Sequence, residues 1–380
     1  MLTKKLISMK VYGYGATKAH HDLVPVSFER TPLRDGEIAF KVKYCGVCHS
    51  DVHQVHDDWD NSLYPCVPGH EIVGEVTEIG SGVSKFKVGD LIGVGCMVNS
   101  CRECDYCNDG LENYCQGPKS CTLTYNGPKN PDGTNSYGGY STHMIVREEF
   151  GITVPTNIDP RYVGPIMCAA TTVYAPMKHW KLQKGQTLGV VGIGGLGHMA
   201  VKIGKALGAK VVAFTEHSHK RDAILQLGAD EVVVHSDETQ MKNVEKSIDL
   251  IINTIPYPHD IGKFLSVMKT DTTIVVVGNF IEFPKFVPGP MVFERIQIAG
   301  SLIGGVHETQ EILDLCAQHD IKPEIEVIDI DRINEVFHTL RKNKDTEFRH
   351  VIDMESLHRR VSTDLKAQEI DAPTRGAVVA

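Results

Sequence analysis

The chain has no surplus of positive charge. Its 380 residues carry 39 Lys and Arg against 48 Asp and Glu, a formal charge of −9, and no basic cluster stands out that could track a phosphate backbone. Nucleic acid is therefore not expected as a partner. No run reaches the roughly 18 apolar residues needed to cross a bilayer, so no membrane role is expected either. The opening M-L-T-K-K-L-I-S-M-K lacks the apolar core of a secretory signal, which points to a cytoplasmic protein. Internal repeats are also missing. With 42% hydrophobic and 23% charged residues, the composition leaves little room for extensive disorder and describes a folded, water-soluble chain.

Cysteine, by contrast, is plentiful. Eleven cysteines would suit a disulfide scaffold in a short secreted peptide, but here they lie in a long chain without a signal and cluster at metal-ligand spacing. Cys101, Cys104, Cys107 and Cys115 form C-x2-C-x2-C-x7-C, close enough for one loop to wrap four thiolates around a tetrahedral zinc ion. Four thiolates leave no open position for substrate, so such a site cross-links a loop and does no chemistry.

A length of 380 residues suggests two domains. Residues 38–48 and 70–94 alternate apolar with polar positions and break at Gly80, Gly82, Gly89 and Asp90, as strands of an antiparallel β domain do. Between residues 111 and 140 the composition turns to Asn, Gly, Pro, Ser and Thr, which reads as an ordered surface loop bordering a site. The pattern then changes. Strand Thr187–Val191, a glycine turn, a helix over 197–207 and a strand over 210–214 make a βαβ unit. Further strands at Glu231–Val234, 249–253 and 273–277 alternate with helices near 220–227 and 260–267, as a doubly wound sheet requires. A helix over 308–319 precedes a short strand at 325–328, where the chain returns to the first domain. After Ser356 the apolar periodicity fades into what reads as a frayed tail. The expected class is α/β, with a β-rich domain over 1–163, a doubly wound Rossmann domain over 164–302, a return segment over 303–355 and a tail over 356–380.

Gly192, Gly194, Gly195, Leu196 and Gly197 belong to G-I-G-G-L-G, which follows an apolar strand and opens a helix. In that context G-x-G-x-x-G places a dinucleotide pyrophosphate on a helix N-terminus, and side chains at the turn would block the backbone's approach. The second strand of an NAD enzyme usually ends in Asp or Glu, which accepts from the ribose 2′-hydroxyl. Here it ends in Thr215, followed by Ser218, Lys220 and Arg221, which suits a 2′-phosphate and favours NADP(H). Glu216 argues the other way if it turns toward the ribose, and Lys220 and Arg221 also fit an ordinary solvated helical turn.

Cys48 in C-G-V-C-H-S-D, His70 in P-G-H-E and Cys168 in C-A-A-T-T make a second, dispersed group. Two thiolates and an imidazole would hold zinc with one position open. Taken singly by spacing, each is more often a buried thiol or a satisfied histidine than a ligand. Their order settles the reading. The segments C-G-V-C-H-S-D-V-H, P-G-H-E-I-V-G, I-G-V-G-C, C-A-A-T-T-V-Y-A-P, G-I-G-G-L-G-H-M-A-V-K and A-G-S-L-I-G-G follow one another in order across residues 10–354. With them the chain resembles the zinc alcohol dehydrogenases of the medium-chain superfamily, in the cinnamyl-alcohol-dehydrogenase branch.

The resemblance implies a GroES-like catalytic domain, a Rossmann cofactor domain and two zinc ions per chain, one catalytic and one structural. It makes Cys48, His70 and Cys168 the catalytic ligands, Glu71 an alternative ligand, and Asp51 the group that orients the histidine. It also implies a proton relay from Ser50 through the nicotinamide ribose to His53. Trp59 and Cys96 fall where the family builds its substrate pocket. Plant lignin enzymes carry a tryptophan after the fourth structural cysteine, where this chain has S-C-T-L-T-Y-N and a longer loop. That departure points away from a dedicated monolignol role and toward a broad NADPH-dependent reductase of aromatic and aliphatic aldehydes, benzaldehyde and cinnamaldehyde types included. The rivals are an NAD-linked alcohol oxidiser and a catalytically silent, zinc-stabilised protein. Residues 296–302 (I-Q-I-A-G-S-L) form a β-prone run that could pair across a two-fold axis, and the family expectation is a homodimer.

Overall fold

A computed structural model describes residues 8–117, 120–125, 135–278, 285–342, 349–363 and 365–370. The chain divides into two units, one of Met1–Cys168, Gly305–Ala317 and Glu324–Ala380, the other of Ala169–Gly304 and Gln318–Pro323. The first is β-rich. Its spine is the long strand Glu37–Val47, which pairs antiparallel with Ile72–Ile79 along most of its length, with His143–Arg147 at its start and with Arg349–Asp353 at its end. The sheet continues through Leu91–Val94 to Ile152–Thr153 on one side, and from Arg349–Asp353 to the parallel strand Ile325–Asp329 on the other. Residues 70–94 make two strands, Ile72–Ile79 and Leu91–Val94, on either side of the expected breaks. Gly82 and Gly89, at φ +79° and +92°, lie in the turn region between them, in a conformation that β-carbons disfavour.

Two expectations change. The tail begins later than Ser356: helix Glu355–Ser362 buries Ser356 and Leu357, and Gln368–Glu369 adds a parallel strand to Val24–Arg30. Met354, Leu357 and Val361 do keep a helical spacing, but the charged run H-R-R between them dilutes the apolar signal. The final residues from 371 lie outside the described residues. Nor are residues 121–125 and 135–140 of the 111–140 segment an exposed loop, while residues 118–119 and 126–134 lie outside the described residues. Thr122–Leu123 pairs with Met97–Asn99, Thr124 N donates to the Cys96 carbonyl at 3.0 Å, and Cys121, Tyr125, Tyr137 and Tyr140 are buried.

The second unit carries a six-stranded, all-parallel sheet in the order Glu231–Val234, Lys210–Thr215, Thr187–Val191, Ile248–Asn253, Met268–Val276, Gln297–Gly300. Numbered along the chain this is 3-2-1-4-5-6, the doubly wound order whose direction reverses between the first and fourth strands. Val191, Phe214, Ile251, Phe264 and Ile274 are among the side chains of its core. The inner strands Lys210–Thr215, Thr187–Val191 and Ile248–Asn253, buried along most of their length, read as continuous apolar runs instead of alternating ones, which is why their positions were so plain in the sequence.

Candidate active site and cofactor site

Three separate chain features bring the dispersed metal-type residues together. Cys48 caps helix His49–His56 as the chain leaves the spine strand, and its backbone N–H donates to Asp51 Oδ2 at 2.9 Å. His70 and Glu71 directly precede strand Ile72–Ile79, after Gly69 at φ +105°. A β-carbon at 69 would press on the Tyr140 ring at 2.7 Å, so only glycine lets the turn pass there. Cys168 lies in the π-helical turn Ile166–Ala170, a wide turn of the kind common at functional sites. The donor atoms of Cys48, His70, Glu71 and Cys168 all lie within 4.8 Å of one another, and all four residues are buried.

The supports are equally specific. Asp51, fully buried, accepts from Gly69 N at 2.9 Å and from the Tyr140 hydroxyl at 3.3 Å, and meets His70 Nδ1 at 3.0 Å. That contact assigns the proton to Nδ1 and turns Nε2 inward, 3.3 Å from Cys168 Sγ. The Cys168 thiol also bonds with Cys48 and Cys96, and these contacts with burial hold it well above the ordinary thiol range. Cys48 moves the other way. Its bond with Cys168 outweighs the cost of burial, and Arg349 and His70 add positive charge beside it, leaving the thiol well below its usual value. Two thiols competing for one proton beside an inward imidazole are a donor set suited to zinc.

Sequence reasoning missed Arg349. It is 4% exposed, pairs through Nη2 with Glu71 Oε1, and brings Nη1 within 3.8 Å of Cys48 Sγ. Glu71 Oε2 has no hydrogen-bond partner among the described residues, and a β-carbon at Gly46 would fall on it, so that glycine makes room for the carboxylate. The available signal was an arginine within the apolar strand R-H-V-I-D. Tyr125 was also missed as a single residue, although its segment was singled out. Its ring lies 4.9 Å from that of His70.

Of the remaining expected residues in this unit, Ser50 Oγ is 3.7 Å from Cys48 Sγ, and Cys96 joins the thiol cluster. His53 stands one turn further along the helix. Its Nδ1 meets Asp58 Oδ2 at 2.8 Å, and its ring centroid lies 5.5 Å from that of Trp59.

The four loop cysteines also converge within 4.8 Å. Backbone N–H groups of Cys101 and Gly117 point at Cys115 Sγ at 3.3 Å, and those of Cys104 and Gln116 at Cys101 Sγ and Cys104 Sγ at 3.4 Å. Such donors favour the thiolate, and the backbone N–H groups of Cys107 and Gln116 pull the Cys104 thiol down to about 6. Burial pushes that of Cys107 up to about 12. A β-carbon at Gly117 would strike the Cys101 side chain, so glycine closes the loop over the cluster.

In the second unit, Gly192 takes φ +83° at the end of the first strand, and helix Gly197–Ala206 starts five residues on. A β-carbon at 192 would meet Ile255 at 2.7 Å, and one at 197 would run into the Gly192 carbonyl. The cradle at Gly192, Gly194, Gly195, Leu196 and Gly197 thus fits a pyrophosphate at the reversal point of the sheet. Thr215 ends the second strand, buried, with its Oγ1 accepting from His217 N at 3.2 Å. Glu216 and Ser218 are exposed and Lys220 is buried, while Arg221 donates to the Val232 carbonyl at 2.8 Å.

A buried Cys/His/Cys set with one neighbouring carboxylate, in a chain that also carries a dinucleotide-type sheet, defines a metal-dependent dehydrogenase. Residues 34–156 match the family model described as alcohol dehydrogenase GroES-like domain, and residues 195–318 match zinc-binding dehydrogenase. A probable mannitol dehydrogenase of Mesembryanthemum crystallinum is 46% identical over 91% of this chain and 95% of its own. The aldehyde reductase YahK of Escherichia coli is 44% identical over 92% and 99%. Among solved structures, the CAD from Helicobacter pylori complexed with NADP(H) matches with a TM-score of 0.84 and 34% identity, covering 92% of this chain and 99% of that one. The chain belongs to the zinc-binding alcohol dehydrogenase family, and is an oxidoreductase with that family's GroES-like and Rossmann architecture.

Replacing Asp51 by Asn is expected to lower zinc affinity or turnover by about 10- to 100-fold, because the imidazole loses the carboxylate that fixes its tautomer. Competition with a chelating dye measures the affinity. Wild-type affinity together with wild-type turnover would remove Asp51 from this role.

Proposed function

We propose that this protein reduces aromatic and aliphatic aldehydes to primary alcohols with NADPH, reversibly, using one catalytic and one structural zinc ion per chain. The observation that carries the reading is the convergence of the Cys48, His70 and Cys168 donors within 4.8 Å, with Glu71 as the remaining member of the group. When bound, zinc supplies Lewis acidity toward a carbonyl oxygen and NADPH supplies hydride. The chain's own residues do the rest. Cys48, His70 and Cys168 hold the metal, and Asp51 fixes the imidazole. Arg349 holds Glu71 through one carboxylate oxygen, which favours an open position for substrate. Ser50 holds a proton at Oγ beside the cluster. His53, with Nδ1 engaged by Asp58, uses Nε2 to exchange protons with solvent. Cys96 and Tyr125 border the reacting centre, and Trp59 lies further out beside His53.

NADP(H) is favoured by Thr215 in place of an acidic residue at the strand end, by Lys220, and by the NADP(H) complex of the Helicobacter relative. Initial rates with equal NADPH and NADH test this across a panel of aldehydes, and clear NADH preference overturns it. The relatives' names differ from mannitol dehydrogenase to aldehyde reductase, which supports breadth and gives no single substrate. We also propose a cytoplasmic homodimer. Eleven free thiols fit a reducing compartment. Gln297–Gly300 is an edge strand, and Val292 and Phe293 in the preceding helix are 76% and 87% exposed. Light scattering should return twice the chain mass, falling to one chain in Phe293→Glu. A monomeric wild type would sink the dimer.

Among the described residues no helix is long and apolar enough to cross a membrane.

A further inference from the structure

A surface corner of the first unit brings together histidines that none of these steps uses. His20 and His56 place their Nδ1 atoms 2.9 Å apart, with ring centroids at 5.1 Å and planes at 42°. His56 closes helix His49–His56, and His20 faces it from the segment after strand Met9–Gly15. The His20 backbone adopts φ +62°, a left-handed conformation uncommon outside glycine. That segment is fastened in place. Leu23 N donates to Asn334 Oδ1 and Asn334 Nδ2 donates to the Leu23 carbonyl, both at 2.9 Å, and Asp22 Oδ1 meets His338 Nε2 at 3.1 Å.

Two imidazole nitrogens this close share a single hydrogen, because a second would set N–H against N–H. Burial and the Arg341 guanidinium, opposed by Asp58 and assisted by His20 and His53, hold His56 down to about 4. The ring is therefore neutral at neutral pH, with a lone pair to offer. Imidazole nitrogens bind transition metals at about 2.0–2.1 Å, so two at right angles on one ion lie about 2.9 Å apart. The observed separation matches that arrangement.

We propose that His20 and His56 form a binding site for a divalent transition-metal ion of the Ni2+, Cu2+ and Zn2+ class, distinct from both cysteine-bearing sites, in which the cation sits between the two Nδ1 atoms and the shared hydrogen passes to Nε2 of the ring that carried it. His56 follows His53 by one helical turn. A cation there adds positive charge beside the His53–Asp58 pair and slows proton exchange, a consequence that rests on the proton-carrying role assigned to His53.

The test uses the untagged, zinc-replete enzyme dialysed against graded Ni2+, with nickel and zinc measured together. One Ni2+ per chain is expected beyond an unchanged zinc content, with turnover falling as it binds. His20→Ala and His56→Ala should each weaken uptake at least about tenfold, remove the inhibition, and leave turnover without Ni2+ at the wild-type level. Equal uptake by wild type and both variants, or uptake only in exchange for zinc, overturns the site. Uptake with unchanged turnover overturns the coupling to His53. Failure of the reductase reading would show separately, as absent NADPH-dependent turnover before any Ni2+ is added.

Discussion

Cys48→Ser should reduce aldehyde turnover by at least about 10³-fold, since a Lewis-acid contribution of several kcal/mol is lost at tenfold per 1.36 kcal/mol. Zinc content should fall by one ion per chain. The fold should survive, because the contact that starts helix His49–His56 is the Cys48 backbone N–H on Asp51, which serine keeps. What serine cannot supply is a thiolate. Its hydroxyl stays protonated at neutral pH, so the buried cluster loses a negative charge while Arg349 Nη1 remains beside the position. The melting temperature and far-ultraviolet circular dichroism check the fold, and metal analysis checks the ligand. Full turnover with two zinc ions retained would refute Cys48 as a ligand.

How far the sequence reveals this site depends on how far apart its parts lie. The four loop cysteines fall within fifteen residues, and spacing alone proposes their convergence. The glycine turn is equally local, since Gly192 and Gly197 are forced by contacts within one βα connection and by Ile255 beside it. His70 and Cys168 stand 98 positions apart, and Glu71 and Arg349 278 apart. Pairing at that range is set by the sheet, through the antiparallel register of Arg349–Asp353 against the end of the spine strand. No periodicity encodes it. The first pair was recovered because ordered motifs carried a resemblance. The second lacked such a motif and was missed. The 111–140 segment failed for another reason: its Asn, Gly and Pro content describes the backbone's turning, whereas its burial follows from Cys121, Tyr125, Tyr137 and Tyr140, which composition averages away.

The loop cysteines invite the opposite kind of experiment. Cys104→Ser should remove the structural zinc and destabilise the protein while leaving the catalytic donors untouched. Structural zinc contributes about 10–16 kcal/mol of apparent binding energy in small peptides that have no other core. Here most of that is not at stake, because the first unit retains its own buried core, with Val11, Phe40 and Ile72 among its members. A loss of about 3–5 kcal/mol corresponds to a fall of roughly 6–20 °C in melting temperature, at about 2–4 °C per kcal/mol for a domain of this size. The N–H groups of Cys101, Cys104, Gln116 and Gly117 give the effect its direction, since they are arranged for sulfur anions and lose their purpose when the cluster opens. Proton competition should act the same way. The Cys104 thiol is held low, so its contribution persists above the unfolded value and is lost as the pH falls through about 6, and chelators should strip this zinc faster at pH 5 than at pH 8. Scanning calorimetry of the variant, paired with turnover per remaining zinc, separates the two sites. An unchanged melting temperature would count against a structural ion. Turnover per catalytic zinc falling as far as it does in Cys48→Ser would show that the loop does more than hold the chain together.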